Sequence, residues 1–335
     1  METSRRPAIT ILCPPDGGRP AGMERLEADA ELTYTDAAGL ADALRGAEAL
    51  LLWDYFSEAV RDAWPSAGSL RWLHVAAAGV DKLLFPELVA SDVVVTNARG
   101  IFDRAMAEFV LGSILAVAKD IHLSHDLQTA RKWLRRETRL ISAETALVVG
   151  TGAIGRETAR LLRAAGMDVR GAGRTARSGD PDFGEVVASA DLAAHVGWAD
   201  HVVITAPLTD ETRGLISEDV LAAMKPGSHL VNVGRGQIVD EAALVSAIRD
   251  GPVEAASLDV FEIEPLPAES PLWTMPGVAV SAHMSGDYEG WREALADQFV
   301  DNARRWLGGE PLLNVVDKQR GFVVAEQGER SWPTR

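Results

Sequence analysis

Three polar residues in the second half of the chain could carry out chemistry together. Arg235, Glu264 and His283 each end or closely follow an apolar run that predicts a strand. Ligands of doubly wound sheets bind outside the carboxyl ends of the strands, so these side chains are expected to converge. A guanidinium can hold a carboxylate, an imidazolium can donate a proton, and a carboxylate favours the charged imidazole. The set suits the reduction of a 2-keto acid.

Each of these residues, taken alone, also fits an ordinary structural role. An arginine after a strand is commonly an ion-paired surface residue, and a histidine at a strand end is commonly a hydrogen-bonded turn residue. Glu264, which precedes Pro265, fits an exposed loop carboxylate. What favours catalysis is that all three follow a nucleotide-type glycine turn.

That turn lies in "VVGTGAIGRETARLL", residues 148–162, between an apolar run and a helical pattern. Gly150 permits the tight turn, Gly152 lets the backbone approach a pyrophosphate, and Gly155 lets the helix pack on the strand. The helix N-terminus offers N–H groups to the phosphates. The motif predicts dinucleotide binding.

The next strand predicts which dinucleotide is preferred. NAD sites place an acidic residue at its end to bind the ribose 2′-OH, but here the run 168–173 is followed by Arg174 and Thr175. Asp168 begins the strand, and Arg177 adds a second positive charge. Arginine can bind a 2′-phosphate, so the loop predicts NADP(H), with NAD(H) possible. Alternatively, these arginines are solvated loop residues and the site does not discriminate between NADP(H) and NAD(H).

Short apolar runs alternate with helical patterns along the chain. They predict strands at 8–13, 49–53, 70–77, 93–98, 168–173, 201–207, 229–234, 254–260 and 278–283. Helices are predicted at 102–128, 216–224, 240–250 and 288–307. Such alternation is typical of a parallel α/β sheet, and a complete α/β unit precedes the glycine turn.

Composition limits the function classes. The 335 residues carry a net charge of −16, with one dense basic cluster at 131–139, which disfavours nucleic-acid binding. No apolar run is long enough to span a bilayer, and the single Cys13 excludes a disulfide framework or a cysteine-built metal site. We expect a cytoplasmic protein that binds neither membrane nor metal. The polar tail after about Val324 is expected to be dispensable.

Six ordered motifs resemble the D-isomer-specific 2-hydroxyacid dehydrogenases, which include glyoxylate/hydroxypyruvate reductases. They lie within about residues 50–320: "AAAGVD", "VVGTGAIGR", "APLTDETRGLI", "MKPGSHLVNVGRGQIVDEAAL", "ASLDVFEIEPLPAESPLW" and "VSAHMSG". The resemblance implies reversible, NAD(P)H-dependent reduction of a small 2-keto acid to the D-2-hydroxy acid. It makes Arg235 the substrate-binding arginine, His283 the proton donor and Glu264 the partner that raises the pKa of His283.

The resemblance also implies contacts to ligands. The backbone N–H groups of Ala78 and Gly79 would bind the substrate carboxylate, and Asp259 would meet the nicotinamide carboxamide. Trp53 and Tyr55 would line the substrate pocket with Phe56 and favour an apolar or aromatic substituent, although they fit a core equally well. The expected cofactor contacts are Gly150, Gly152, Ala153, Ile154, Gly155, Arg174, Thr175, Pro207, Thr212, Val233, Gly234, Asp259 and Ser285.

The implied architecture has two Rossmann-like doubly wound domains. A dinucleotide-binding domain at 99–285 is inserted into a discontinuous substrate domain formed by 1–98 and 286–335. A homodimer is expected through the helix at 102–128, with Trp133 either packing in the interface or reaching the partner's active site. The alternative is a scaffold similar to the family's NAD(H)-sensing corepressors, which keep the site without catalysis. The physiological 2-keto acid stays open.

Overall fold

The chain folds into two compact units. The computed structural model describes residues 5–16 and 18–324. The first unit contains the described residues up to Phe102 and those from Tyr288 onward, and the second runs from Asp103 to Asp287. The tail after Val324 lies outside the described residues, so the expectation that it is dispensable stays a prediction.

The described residues form two β-sheets. Their strands are β1 Ala8–Leu12, β2 Glu31–Thr35, β3 Ala49–Leu52, β4 Trp72–Val75, β5 Val94–Thr96, β6 Thr145–Val149, β7 Asp168–Gly173, β8 Arg177–Asp180, β9 Gly184–Ala188, β10 His201–Ile204, β11 Ser228–Asn232, β12 Val253–Leu258 and β13 Val278–Val280. The predicted α/β fold class is confirmed.

Helices connect and cover these strands. The α-helices are α1 Leu40–Ala43, α2 Ala59–Ala63, α3 Pro86–Ala90, α4 Asp103–Ala118, α5 Ile121–Thr129, α6 Ala153–Ala164, α7 Glu218–Ala222, α8 Glu241–Asp250 and α9 Trp291–Leu307. Short 3₁₀ helices lie at Met23–Leu26, Trp64–Ser66, Ile141–Ala143, Ser189–Ala194, Val196–Trp198, Gly236–Ile238 and Pro271–Trp273.

The sheet of the first unit is parallel, with strand order β2-β1-β3-β4-β5. Successive side chains of β3 point to opposite faces: Leu50 and Leu52 enter one core, and Ala49 and Leu51 enter the other. Helix α9 covers the second of these faces, where Phe299 stacks on Trp72 at 5.3 Å between ring centroids. Both faces are therefore buried, as a parallel sheet requires.

The sheet of the second unit has the order β13-β12-β11-β10-β6-β7-β9-β8, and only the β8–β9 pair is antiparallel. This is the doubly wound nucleotide-binding order, because β6, the strand that leads into the glycine turn, lies between β7 and β10. Residues of β6 alternate between two cores, with Leu147 and Val149 on one face and Ala146 and Val148 on the other. The carboxyl ends of β6, β7 and β10 thus lie side by side.

The single helix predicted for residues 102–128 is wrong. The structure breaks it into α4 and α5, because Asp120 takes the left-handed conformation with φ 49°. Arg136 stabilises this break, donating from Nε to the Asp120 carboxylate at 3.0 Å and from Nη2 to its carbonyl at 2.7 Å. The apolar spacing continues across the break, so periodicity alone could not reveal it.

Candidate active site

The three residues expected to catalyse follow three neighbouring parallel strands. Arg235 follows β11, Glu264 follows β12 and His283 follows β13, and these parallel strands are neighbours at one side of the sheet. Their carboxyl ends therefore share an edge. A Cβ at Gly236 would lie 1.8 Å from the carbonyl carbon of Phe261, so the loop of Arg235 packs directly on the loop that leads to Glu264.

His283 and Glu264 form a close ion-pair geometry. His283 Nδ1 lies 2.7 Å from Glu264 Oε2, and Phe261 N–H donates to Glu264 Oε1 at 3.0 Å. Burial alone would raise the pKa of Glu264, but the bonds from His283 and Phe261 and the charge of Arg235 lower it below its usual value. Glu264 is therefore an anion at neutral pH and orients the ring through Nδ1.

The backbone of His283 is held in an unusual conformation by Asp259. His283 has φ 51°, in the left-handed region that non-glycine residues rarely adopt. Asp259 is completely buried; its carbonyl accepts from His283 N at 2.8 Å. Its carboxylate accepts from Ser281 Oγ at 2.6 Å, Met284 N at 2.9 Å and Ser285 N at 2.8 Å. This carboxylate fixes the loop that carries His283, a role the sequence analysis missed; its nicotinamide contact stays a prediction.

Arg235 is half-buried at the end of a short connection from β11. Its Nη1 donates to the Gly234 carbonyl at 2.9 Å, and its own carbonyl accepts from Asn232 Nδ2 at 3.0 Å. Val233 is buried, and Gly234 N–H donates to the Asn232 side chain at 3.0 Å. Asn232, which the sequence analysis did not single out, therefore shapes this turn.

The glycine turn fits a pyrophosphate. A Cβ at Gly150 would lie 2.6 Å from Ala206 N, and one at Gly155 would lie 1.9 Å from the Gly150 carbonyl oxygen, whereas one at Gly152 would meet no atom within 4 Å. The N–H groups of Gly152, Ala153 and Ile154 donate to no atom in the described part of the chain, and no side chain caps α6. Uncapped donors at a helix N-terminus suit an anion.

The loop after β7 has the charge pattern that the sequence predicts. Arg174 and Thr175 are exposed directly after the strand, and Asp168 begins it at the opposite end. Arg174 Nε lies 3.1 Å from Glu211 Oε2 of the loop after β10. Arg177 is paired with the buried Asp180 at 2.8 Å, so its charge is largely neutralised within the protein.

Asp180 anchors the β8–β9 hairpin to α6. Its carboxylate accepts from Arg156 at 2.9 and 3.0 Å, from Arg177, and from the N–H groups of Asp182 and Phe183. Burial acts to raise the pKa of Asp180, but these bonds hold it well below the usual range. The hairpin that follows Arg174 is thereby held on the helix of the glycine turn.

The loop after β10 lies against the glycine turn, and hydrogen bonds of its threonine hydroxyls stabilise it. Thr205 Oγ1 donates to the Gly150 carbonyl at 3.1 Å. Thr212 Oγ1 donates to the carbonyl of the exposed Pro207 at 2.7 Å and accepts from Thr209 N–H at 2.8 Å. Thr212 and Pro207 therefore shape the loop that carries Glu211, and their contacts with a cofactor stay predictions.

In the first unit, two loops follow the adjacent strands β3 and β4. The N–H groups of the half-buried Ala78 and Gly79 donate to no atom among the described residues, while Asn97 Nδ2 fixes the Ala78 carbonyl at 2.6 Å. Trp53 belongs to the core, as the alternative interpretation had it. Tyr55 is half-buried, and Phe56 is 54% exposed, 4.6 Å from Tyr55 between ring centroids.

No helix in residues 5–16 and 18–324 is long and apolar enough to cross a membrane. In the same ranges, no group of His, Cys, Asp and Glu side chains has the arrangement of a metal site.

Comparison with known proteins places this geometry in a family. Residues 111–285 match the model of the D-isomer specific 2-hydroxyacid dehydrogenase NAD binding domain. The chain is 33% identical to the (S)-sulfolactate dehydrogenase of Chromohalobacter salexigens over 295 residues, 86% of this chain and 95% of that protein. It is 33% identical to glyoxylate/hydroxypyruvate reductase B of Serratia proteamaculans over 261 residues, 75% of this chain and 78% of that protein.

A solved structure extends the similarity to nearly the whole chain. The D-isomer specific 2-hydroxyacid dehydrogenase from Xanthobacter autotrophicus Py2, in complex with NADPH and MES, superposes with a TM-score of 0.81 at 32% identity. The match covers 95% of this chain and 100% of that one. The chain therefore belongs to the D-isomer specific 2-hydroxyacid dehydrogenase family.

Proposed function

We propose that this protein reduces a small 2-keto acid to the D-2-hydroxy acid, with NADPH as the preferred cofactor. The observation that carries the proposal is the 2.7 Å contact between His283 and Glu264, on loops that follow the same sheet edge as Arg235. Membership of the family supports the reaction class.

Each side chain has a defined role in this reaction. Arg235 binds the substrate carboxylate. Glu264 accepts from Nδ1 of His283, which leaves Nε2 as the atom that donates a proton to the carbonyl oxygen. In the reverse direction the same nitrogen accepts the proton from the hydroxyl. The nicotinamide cofactor, when bound, supplies the hydride that the carbonyl carbon receives.

The cofactor is held by the second unit. The uncapped N–H groups of Gly152, Ala153 and Ile154 bind the pyrophosphate. Arg174 and Thr175 bind a 2′-phosphate, since no carboxylate ends β7 to accept from a ribose 2′-OH. Val233, Gly234, Asp259 and Ser285 lie along the catalytic edge and are assigned to the nicotinamide end. The NADPH complex of the Xanthobacter relative supports this preference.

The substituent of the keto acid is proposed to be apolar or aromatic. Support comes from Phe56, whose side chain is largely exposed beside the half-buried Tyr55. Trp53 belongs to the core cluster against which Tyr55 packs. Phe56→Ala should raise the KM for phenylpyruvate and leave that for glyoxylate unchanged. A wild-type kcat/KM far higher for glyoxylate than for phenylpyruvate or 2-ketoisocaproate contradicts this preference.

A homodimer is proposed through α4, α5 and the segment after them. Helix α5 has no buried residue, and residues 121–140 expose five large apolar side chains: Ile121, Leu123, Trp133, Leu134 and Leu140. Trp133 is 97% exposed, more than a tryptophan of a monomer usually is. Sedimentation should give a dimer at micromolar concentration; a monomer there contradicts it.

Cofactor oxidation with a panel of 2-keto acids tests the proposal. Purified protein is mixed with NADPH or NADH and with glyoxylate, hydroxypyruvate, phenylpyruvate or 2-ketoisocaproate. We expect turnover with at least one acid and a higher kcat/KM with NADPH. Cofactor binding without turnover on any of them would favour the scaffold alternative.

A further inference from the structure

The loops after β7 and β10 are joined by an ion pair that crosses the end of β6. In the sheet order, β6 lies between β10 and β7, so the loops that leave these neighbours flank the glycine turn. Arg174 Nε and Glu211 Oε2 are 3.1 Å apart, and the two residues are 37 positions apart in sequence. The pair therefore lies where the adenosine ribose of a bound dinucleotide is expected.

Both loops are held against the glycine turn, so the two paired residues have fixed positions. A Cβ at Gly173 would lie 3.0 Å from Thr151 Oγ1, which brings the start of the Arg174 loop against the turn. On the other side, Thr205 bonds to the Gly150 carbonyl and Thr212 closes the turn that carries Glu211. Arg174 and Glu211 are thus each carried by a loop that packing or hydrogen bonds hold in place.

We infer that Glu211 is a specificity-determining residue that competes with the 2′-phosphate of NADPH for Arg174. The inference rests on the proposed role of Arg174 and adds a second residue to it. The Glu211 carboxylate occupies the Nε–H donor of Arg174, and its negative charge repels a phosphate that approaches the same guanidinium. NADH does not meet this repulsion, since it has no 2′-phosphate. Glu211 therefore lowers the preference for NADPH and keeps NADH usable.

The size of the effect follows from exposure. The side chains of Arg174 and Glu211 are 50% and 69% exposed, so water screens their attraction. Exposed pairs of this kind contribute modestly, and removing the charge of Glu211 is expected to raise the affinity about five-fold. Because the gain is electrostatic, it should shrink between about 50 mM and about 500 mM salt.

The test compares Glu211→Gln with wild type in calorimetric binding of adenosine 2′,5′-bisphosphate and of AMP, which carry the adenosine end alone. We expect the Kd for adenosine 2′,5′-bisphosphate to fall about five-fold, and the Kd for AMP to stay within about two-fold. In the enzyme assay, KM for NADPH should fall with kcat unchanged, and KM for NADH should stay the same.

Two further variants make the outcome specific. Glu185→Gln removes the same charge from the exposed Arg170–Glu185 pair, at 3.2 Å between β7 and β9, and should leave both Kd values unchanged. In an Arg174→Ala background, Glu211→Gln should give less than about a two-fold gain. An equal gain from Glu185→Gln, or an undiminished gain without Arg174, overturns the inference, because either one indicates a general charge effect.

The failure of this inference differs from the failure of the proposed cofactor preference. If wild type binds adenosine 2′,5′-bisphosphate no more tightly than AMP, the NADPH preference and this inference both fall. If it binds the bisphosphate more tightly, depends on Arg174 and does not respond to Glu211→Gln, only the role of Glu211 is contradicted.

Discussion

Two places along the carboxyl edge of the same sheet use carboxylates in opposite ways. Beyond β12 and β13, Asp259 is completely buried and binds two backbone N–H groups and a hydroxyl around His283. Beyond β7 and β10, Glu211 is 69% exposed and contacts Arg174, itself half-exposed. The loop of the group proposed to transfer a proton is fixed by a buried carboxylate, whereas the group proposed to select the cofactor is paired with an exposed one.

This difference has a physical reason. Proton transfer needs a donor fixed within a fraction of an ångström, and buried hydrogen bonds supply that rigidity. Cofactor choice needs only a modest difference in free energy between two ligands, which an exposed and screened pair can supply. Substitutions should therefore have large effects at the first place and small ones at the second.

The largest effect on stability is expected for Asp259→Asn. One carboxylate oxygen becomes an NH₂ group that faces a backbone donor, so at least one buried N–H loses its acceptor. We expect the free energy of unfolding to fall by about 3 kcal/mol and kcat to drop with it. Urea denaturation measures the first, with the exposed Asp168→Asn as control. A loss below about 1 kcal/mol would show that Asp259 does not hold this loop.

Asp180→Asn should have the next largest effect, because it breaks the anchor between the β8–β9 hairpin and α6. Arg156 and Arg177 are partly exposed and can find water, so the expected loss at pH 7 is about 2 kcal/mol. Since folding depresses the pKa of Asp180, its contribution is complete above the unfolded-state pKa of about 4 and is lost as pH falls through the folded-state pKa.

Urea denaturation of wild type and Asp180→Asn at several pH values checks the sign. The difference in unfolding free energy should be constant above about pH 5 and shrink below about pH 4. Asp168→Asn, at the exposed start of β7, serves as the matched control without such a profile. A difference that grows on acidification would contradict the account of Asp180.

Glu264→Gln should change the pH profile more than the stability. The imidazolium form of His283 loses its anionic partner, so the falling limb of keto-acid reduction should move to lower pH, and the rate at neutral pH should drop about ten-fold. The control is Glu269→Gln on the same loop, whose side chain is exposed. An unchanged falling limb of the pH profile in Glu264→Gln would show that Glu264 does not influence proton donation by His283.

Much of this fold could be predicted because its central strands are continuous apolar runs between helices. Strand β7 was predicted with its observed limits, and Arg235 and His283, proposed to act in catalysis, lie just beyond β11 and β13. Strand β2 was missed because its side chains alternate between exposed and half-buried at the sheet edge. The β8–β9 hairpin was missed because its first strand, Arg177–Asp180, is mostly polar and is anchored by ion pairs.

Several contacts that the sequence did not reveal join residues that are distant in sequence. Glu211 contacts Arg174 because their loops follow β10 and β7, the two neighbours of β6. Arg136 contacts Asp120 because the chain folds back after α5. Asp259 was expected at the nicotinamide, but its bonds to Ser285 depend on how the loop after β13 folds back. Local patterns carry no signal for such pairs.

The most direct test of the central claim is His283→Gln. Glutamine can keep a hydrogen bond to Glu264 but cannot donate the proton at neutral pH. We predict that kcat/KM for keto-acid reduction falls about 10³-fold while the Kd for NADPH, measured by fluorescence titration, stays within about two-fold. Activity within about ten-fold of wild type would contradict the assignment of His283 as proton donor.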